Sequence, residues 1–185
     1  MSFRYVSIAS GIIGLVPLGL VAASYMIPAV VTISQSNADI YHIFELLTIA
    51  SATLFSLFLF GFVSLSRVVS NRVLSISSII AGSTVLFYIC VFVAAIILPK
   101  LANSVLLATK GGQIIESVAL SIGGISLCNQ PYDLKGYGIA AGCFELLFGV
   151  ISLVQPDAAS IEFISQALFM ISGVIFQAYA LRTKT

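Results

Sequence analysis

The chain has no tryptophan, a single histidine, three cysteines and only 8% charged residues, and each shortage removes a class of protein. One histidine cannot supply the ligand pair of a bis-histidine haem or the imidazole clusters of most catalytic metal centres. Cys90, Cys128 and Cys143 lie in or beside apolar segments without CxxC spacing, so they read as buried thiols in packing roles. No HExxH, GxSxG or Walker sequence occurs. Hence no catalytic residue, no cofactor site and no metal site is expected, and the chain does not read as an enzyme. A net charge of +1 without charged runs argues against a nucleic-acid partner.

The scarcity of charge carries the most information. About a quarter of the residues of an ordinary soluble domain are charged. With 8% charged and 59% hydrophobic residues and a mean hydropathy of +1.14, this chain could not cover a water-soluble fold of its size. A lipid bilayer removes that requirement, because lipid-facing side chains can be as apolar as core ones and only helix ends and loops need water.

What is present is a succession of apolar runs. They predict an all-α, single-domain polytopic transmembrane helical bundle with spans over about 5–33, 41–66, 73–98, 113–128, 137–154 and 160–181. The third span stops before Pro99, and a loop over 99–112 leads to the fourth, the shortest and most polar. A segment that short is also compatible with a re-entrant element, which would leave five spans, since about 10–14 apolar residues do not cross a bilayer comfortably. Arg4 followed by an apolar stretch and Val21, Ala22 and Ala23 imitates a cleavable signal, but the run continues to Ile33, which favours an uncleaved, tilted first helix.

Lysine and arginine orient the bundle. With both termini cytoplasmic, Arg4, Arg67, Arg72, Lys135, Arg182 and Lys184 fall inside and only Lys100 and Lys110 outside. That asymmetry predicts a multi-pass protein of the cell membrane.

The few polar groups within the spans are the candidates for function. Glu45, Glu116 and Glu162 each fall near the start of a helix that enters from outside, with Asp39 and Asp157 just beyond. A helix N-terminus stabilises such carboxylates without any further role. Alternatively, Glu45 and Glu116 line the mouth of a cavity that attracts cations or protons. Gln113, Glu116, Ser117, Ser121, Gly124 and Cys128 share one face of the fourth span, a stripe too polar to meet lipid. In the fifth, Gly138, Gly142 and Gly149 form a small-residue stripe for close helix contact, and Glu145 lies on it. Glu145 then either pairs with Lys135, Arg67 or Arg72, or serves as a titrating carboxylate. His42 stands three residues from both Asp39 and Glu45. Pro17 should kink the first helix near Gly11 and Gly14, and Gln166, Gly173 and Gln177 make a small polar stripe in the sixth. Phe-Glu-Leu-Leu occurs at 44–47 and again at 144–147, in helices of opposite direction, the pattern of a three-plus-three inverted repeat.

Two functional readings follow. In the first, the chain is a structural protein or a subunit or assembly component of a membrane complex, as a homo-oligomer or with other membrane subunits. In the alternative, it is a small transporter or channel for protons, cations or a small solute, with Glu45, Glu116 and Glu145 along the path. They differ in whether the fourth and fifth helices meet glycine to glycine or enclose a wet cavity.

Overall fold

The computed structural model describes residues 3–26, 38–98, 102–129, 134–154 and 159–183. The described residues form six helices: α1 Phe3–Met26, α2 Ala38–Val68, α3 Arg72–Ile97, α4 Ala102–Cys128, α5 Lys135–Val154 and α6 Ala159–Thr183. No strand occurs among the described residues. All six are long and apolar enough to cross a membrane.

The largest departure from expectation is α4. Residues 102–112 are helical rather than loop, and the apolar part, Ala108–Cys128, is 21 residues long, so α4 is not too short to cross a bilayer. Glycine in a helix interior costs up to about 1 kcal/mol. Packing overrides that cost at Gly112, where a Cβ would lie 2.8 Å from Cε1 of Tyr88: the missing side chain is what lets the Tyr88 ring approach α4. The last part of the first predicted span, 27–33, lies outside the described residues, as do Lys100, Asp133 and Asp157.

Each helix packs on its neighbours in the chain, and α1 closes on α6. The result is a ring of antiparallel neighbours with α2 and α6 also in contact across it. That side of the interior is filled by aromatic rings: Phe58 meets Phe62 edge to face at 5.3 Å and Phe169 at 5.4 Å, and Phe62 stacks on Phe169 and Phe176. Buried polar groups tie the same helices together. Ser7 Oγ of α1 lies 2.9 Å from Gln177 Oε1 of α6 and 3.0 Å from the Phe58 carbonyl of α2, and Gln177 Nε2 donates to that carbonyl at 3.4 Å. Pro17 sits within α1, where it leaves the carbonyl of Ile13 without its helical donor.

The turn between α2 and α3 is built on Asn71. Ser70 adopts the left-handed conformation (φ 53°) that ends α2, and the Asn71 N–H returns to the Ser66 carbonyl at 2.9 Å, as in a Schellman motif. The Asn71 side chain then caps α3, accepting from the Leu74 N–H at 3.0 Å, and grips the end of α4 by accepting from Ser126 Oγ at 3.0 Å and donating to the Ser126 carbonyl at 3.1 Å. Asn71→Ala removes a cap and a two-point link between helices, so a loss of about 2 kcal/mol is expected in thermal unfolding of the purified protein. Asn71→Asp, which keeps the acceptor and loses the donor, should fall between alanine and wild type.

The outward faces are apolar: Ile12, Val16, Ile76, Ile97, Ile125, Val154 and Ile175 are among the large exposed side chains. The cysteines depart from expectation here. All are free thiols, but Cys90 and Cys143 are exposed and Cys128 only partly covered. On so apolar an exterior a thiol does not need burial.

Candidate functional site

Below one end of the ring lies a cavity of about 320 Å³ to which every helix contributes. It occupies the half of the bundle in which α2, α4 and α6 begin and α1, α3 and α5 end. Helix α4 presents Thr109, Gln113 and Glu116 to it at helical spacing. From the first turn of α6 comes Glu162, followed by Phe163 and Gln166. Thr48, Ser51, Ala52 and Phe55 line it from α2, Val85 and Tyr88 from α3, Phe148 from α5, and Leu18 and Val21 from α1.

Two carboxylates and the Tyr88 phenol therefore enter one space. Among the described residues neither lysine nor arginine lines the cavity. Glu162 Oε1 is held by Ser152 Oγ at 3.0 Å, and the Ser152 carbonyl accepts from Gln113 Nε2 at 3.4 Å, so α4, α5 and α6 fix the Glu162 head group together. Tyr88 lines the same space, and its hydroxyl, shielded from solvent, has no hydrogen-bond partner among the described residues. The inner boundary is aromatic: Phe55 and Phe148 meet edge to face at 5.8 Å, and Phe55 continues into the cluster through Phe58 and Phe169.

The polar stripe of α4 thus serves two surfaces. Gln113 and Glu116 face the cavity, whereas Ser117, Ser121 and Gly124 face α5. The Ser117 and Ser121 hydroxyls are satisfied within their own helix, donating to the Gln113 and Ser117 carbonyls at 2.7 and 2.8 Å. Opposite them, a Cβ at Gly142 would lie 2.5 Å from the Gly124 carbonyl oxygen, and one at Gly149 would lie 2.8 Å from the Ser117 carbonyl oxygen. Gly138 is buried on the same helix. α4 and α5 therefore meet glycine to glycine, and the cavity lies beside that contact.

The remaining sequence candidates do not join the cavity. Glu45 is held near the start of α2 by His42, with Nδ1 and Oε2 2.8 Å apart, and contributes nothing to the lining. Glu145 is buried between α3, α4 and α5, where a Cβ at Gly123 would meet both its Oε1 and the Ser77 hydroxyl. Its Oε2 has no hydrogen-bond partner among the described residues, and the expected pairing with Lys135, Arg67 or Arg72 is not formed. The two Phe-Glu-Leu-Leu segments accordingly occupy unlike surroundings, one glutamate near a helix start and the other buried between helices. Of the sixth-helix stripe only Gln166 reaches the cavity; Gly173 packs beneath Phe58, and Gln177 bonds across α1 and α2.

Glu116, a candidate from the sequence, lines the cavity together with Glu162 and Tyr88, which the sequence did not single out as site residues. For Glu162 the signal was its first-turn position on a helix parallel to α2 and α4. For Tyr88 it was Gly112, which is meaningful only once α3 and α4 are known to touch. No protein-family model, no curated protein and no solved structure matches this chain.

Proposed function

We propose that the chain is an integral membrane protein whose six helices cross the bilayer with both ends in the cytoplasm, and that its central cavity takes up a small, positively charged solute for transport. One observation carries this reading: Glu116 and Glu162 enter a single cavity lined by all six helices, with no basic side chain among the described residues that line it. Carboxylates in an apolar bundle are costly to keep unless a cation or water meets them. The apolar exterior supports insertion in lipid, and the distribution of lysine and arginine favours an orientation with the cavity toward the outside.

Transport requires the site to be reached from both sides in turn. Phe55 and Phe148 form the barrier below the cavity, and because every helix contributes to the lining, a shift of any helix reshapes the site. A structural or assembly role is the second reading, favoured by the close α4–α5 contact. It gives no reason for two carboxylates at one cavity.

The test is flux of sodium, potassium, protons and methylammonium in liposomes, for wild type and for Glu116→Gln, Glu162→Gln and Glu45→Gln reconstituted at equal density. Wild-type flux of at least one of these ions is expected, reduced about tenfold or more in the two cavity variants, as loss of a charge-assisted contact implies, and unchanged in Glu45→Gln. Absence of flux for every ion, or equal flux in all four proteins, would overturn the transport reading and favour the structural one.

A further inference from the structure

The cavity wall says more about the solute than its sign. Alkali and alkaline-earth ions are held by shells of oxygen atoms that replace their water. Here the carboxylates share the lining with Phe55, Phe148, Phe163 and Val85 as well as with the hydroxyls and amides of Thr48, Ser51, Thr109, Gln113 and Gln166, and among the described residues the Tyr88 hydroxyl is a shielded polar atom of the lining that lacks a partner. The apolar and aromatic part of that wall offers an inorganic ion no oxygen. It suits a cation that brings its own apolar surface: alkyl groups pack against the valine and phenylalanine side chains, and the diffuse positive charge rests on aromatic faces while the carboxylates neutralise it. An N–H on that cation would find the Tyr88 oxygen as acceptor. A volume of about 320 Å³ is at the lower end of ligand sites, which limits the solute to a small molecule.

We infer that the cavity between Glu116, Glu162 and Tyr88 binds a small alkyl-substituted ammonium ion in preference to sodium or potassium. The inference rests on the cation-uptake reading above and narrows its substrate class.

The test is binding to the purified full chain in detergent, by calorimetry and by ligand-dependent thermal stabilisation, with four probes: butylammonium, tetraethylammonium, sodium and potassium chlorides. Saturable binding of both ammonium ions is expected, at least tenfold tighter than either alkali ion, and weakened about tenfold by Glu116→Gln. Tyr88→Phe removes a hydroxyl with no partner to lose, so the fold should be retained. It should weaken butylammonium severalfold and leave tetraethylammonium, which has no N–H, unchanged. Tighter binding of sodium or potassium than of either ammonium ion would overturn the inference while leaving cation uptake standing. No binding of any probe would overturn it as well, and if flux were then also insensitive to Glu116→Gln and Glu162→Gln, the underlying reading would fall with it.

Discussion

Gly142→Val should lower the stability of the purified protein by about 3 kcal/mol or more, since overpacking against an unyielding neighbour reaches or exceeds the upper end of core substitutions. For a chain of this length that corresponds to a fall of roughly 6–12 °C in the unfolding midpoint. A Cβ at Gly142 would lie 2.5 Å from the Gly124 carbonyl oxygen, and one at Gly124 would lie 2.6 Å from the Gly142 carbonyl oxygen. Neither obstacle is a side chain that can swing aside. The helices must part, and α4 with α5 is the most extensive helix pair in the bundle. Gly142→Ala should cost less, about 1–3 kcal/mol. The double variant Gly124→Ala/Gly142→Ala should cost less than the sum of the singles, because one separation makes room for both methyl groups. Gly19 is the control: a Cβ there meets nothing within 4 Å, so Gly19→Ala should hold or raise the midpoint through helix propensity. A Gly142→Val protein within about 0.5 kcal/mol of wild type, the range of an inert surface change, would show that this contact does not hold the pair together.

The features legible in the sequence and those that were not divide along a physical line. Helix number and type follow from long apolar runs, and the glycine stripe of α5 from a four-residue spacing, because both are properties of one helix read along itself. The extent of α4 was missed because 99–112 was read as a loop, whereas Gly112 lies within the helix and gives the Tyr88 ring of α3 its close approach. The cavity was half legible: the inward face of α4 identifies Glu116, but convergence with Glu162 and Tyr88 depends on which helices close the ring. Cysteine burial was misjudged for a related reason, since apolar character implies an interior position only where the exterior is polar.

Glu145 is where stability and function should separate. It is 1% exposed, its Oε2 has no partner among the described residues, and Lys135, Arg67 and Arg72 do not pair with it. A buried carboxyl in that state weakens the fold, and an apolar side chain of similar volume removes the unmet hydrogen-bonding demand. Glu145→Met should therefore raise stability by about 1–3 kcal/mol in thermal unfolding, with Glu145→Gln, which retains polar atoms, gaining less. A loss of stability on substitution with methionine would sink this reading and mean that the carboxyl holds α3, α4 and α5 together through a hydrogen bond it needs. Flux decides what the cost is for. The side chain lies one turn along α5 from Phe148, on the far side of the aromatic barrier from Glu116 and Glu162. If Glu145→Met is more stable than wild type yet transports poorly, the carboxyl is kept for passage of the cation or of a proton beyond the barrier, a stability–activity trade of the usual kind. If it is more stable and transports normally, the path does not run through α5, and Glu116 and Glu162 are the carboxylates on which passage depends.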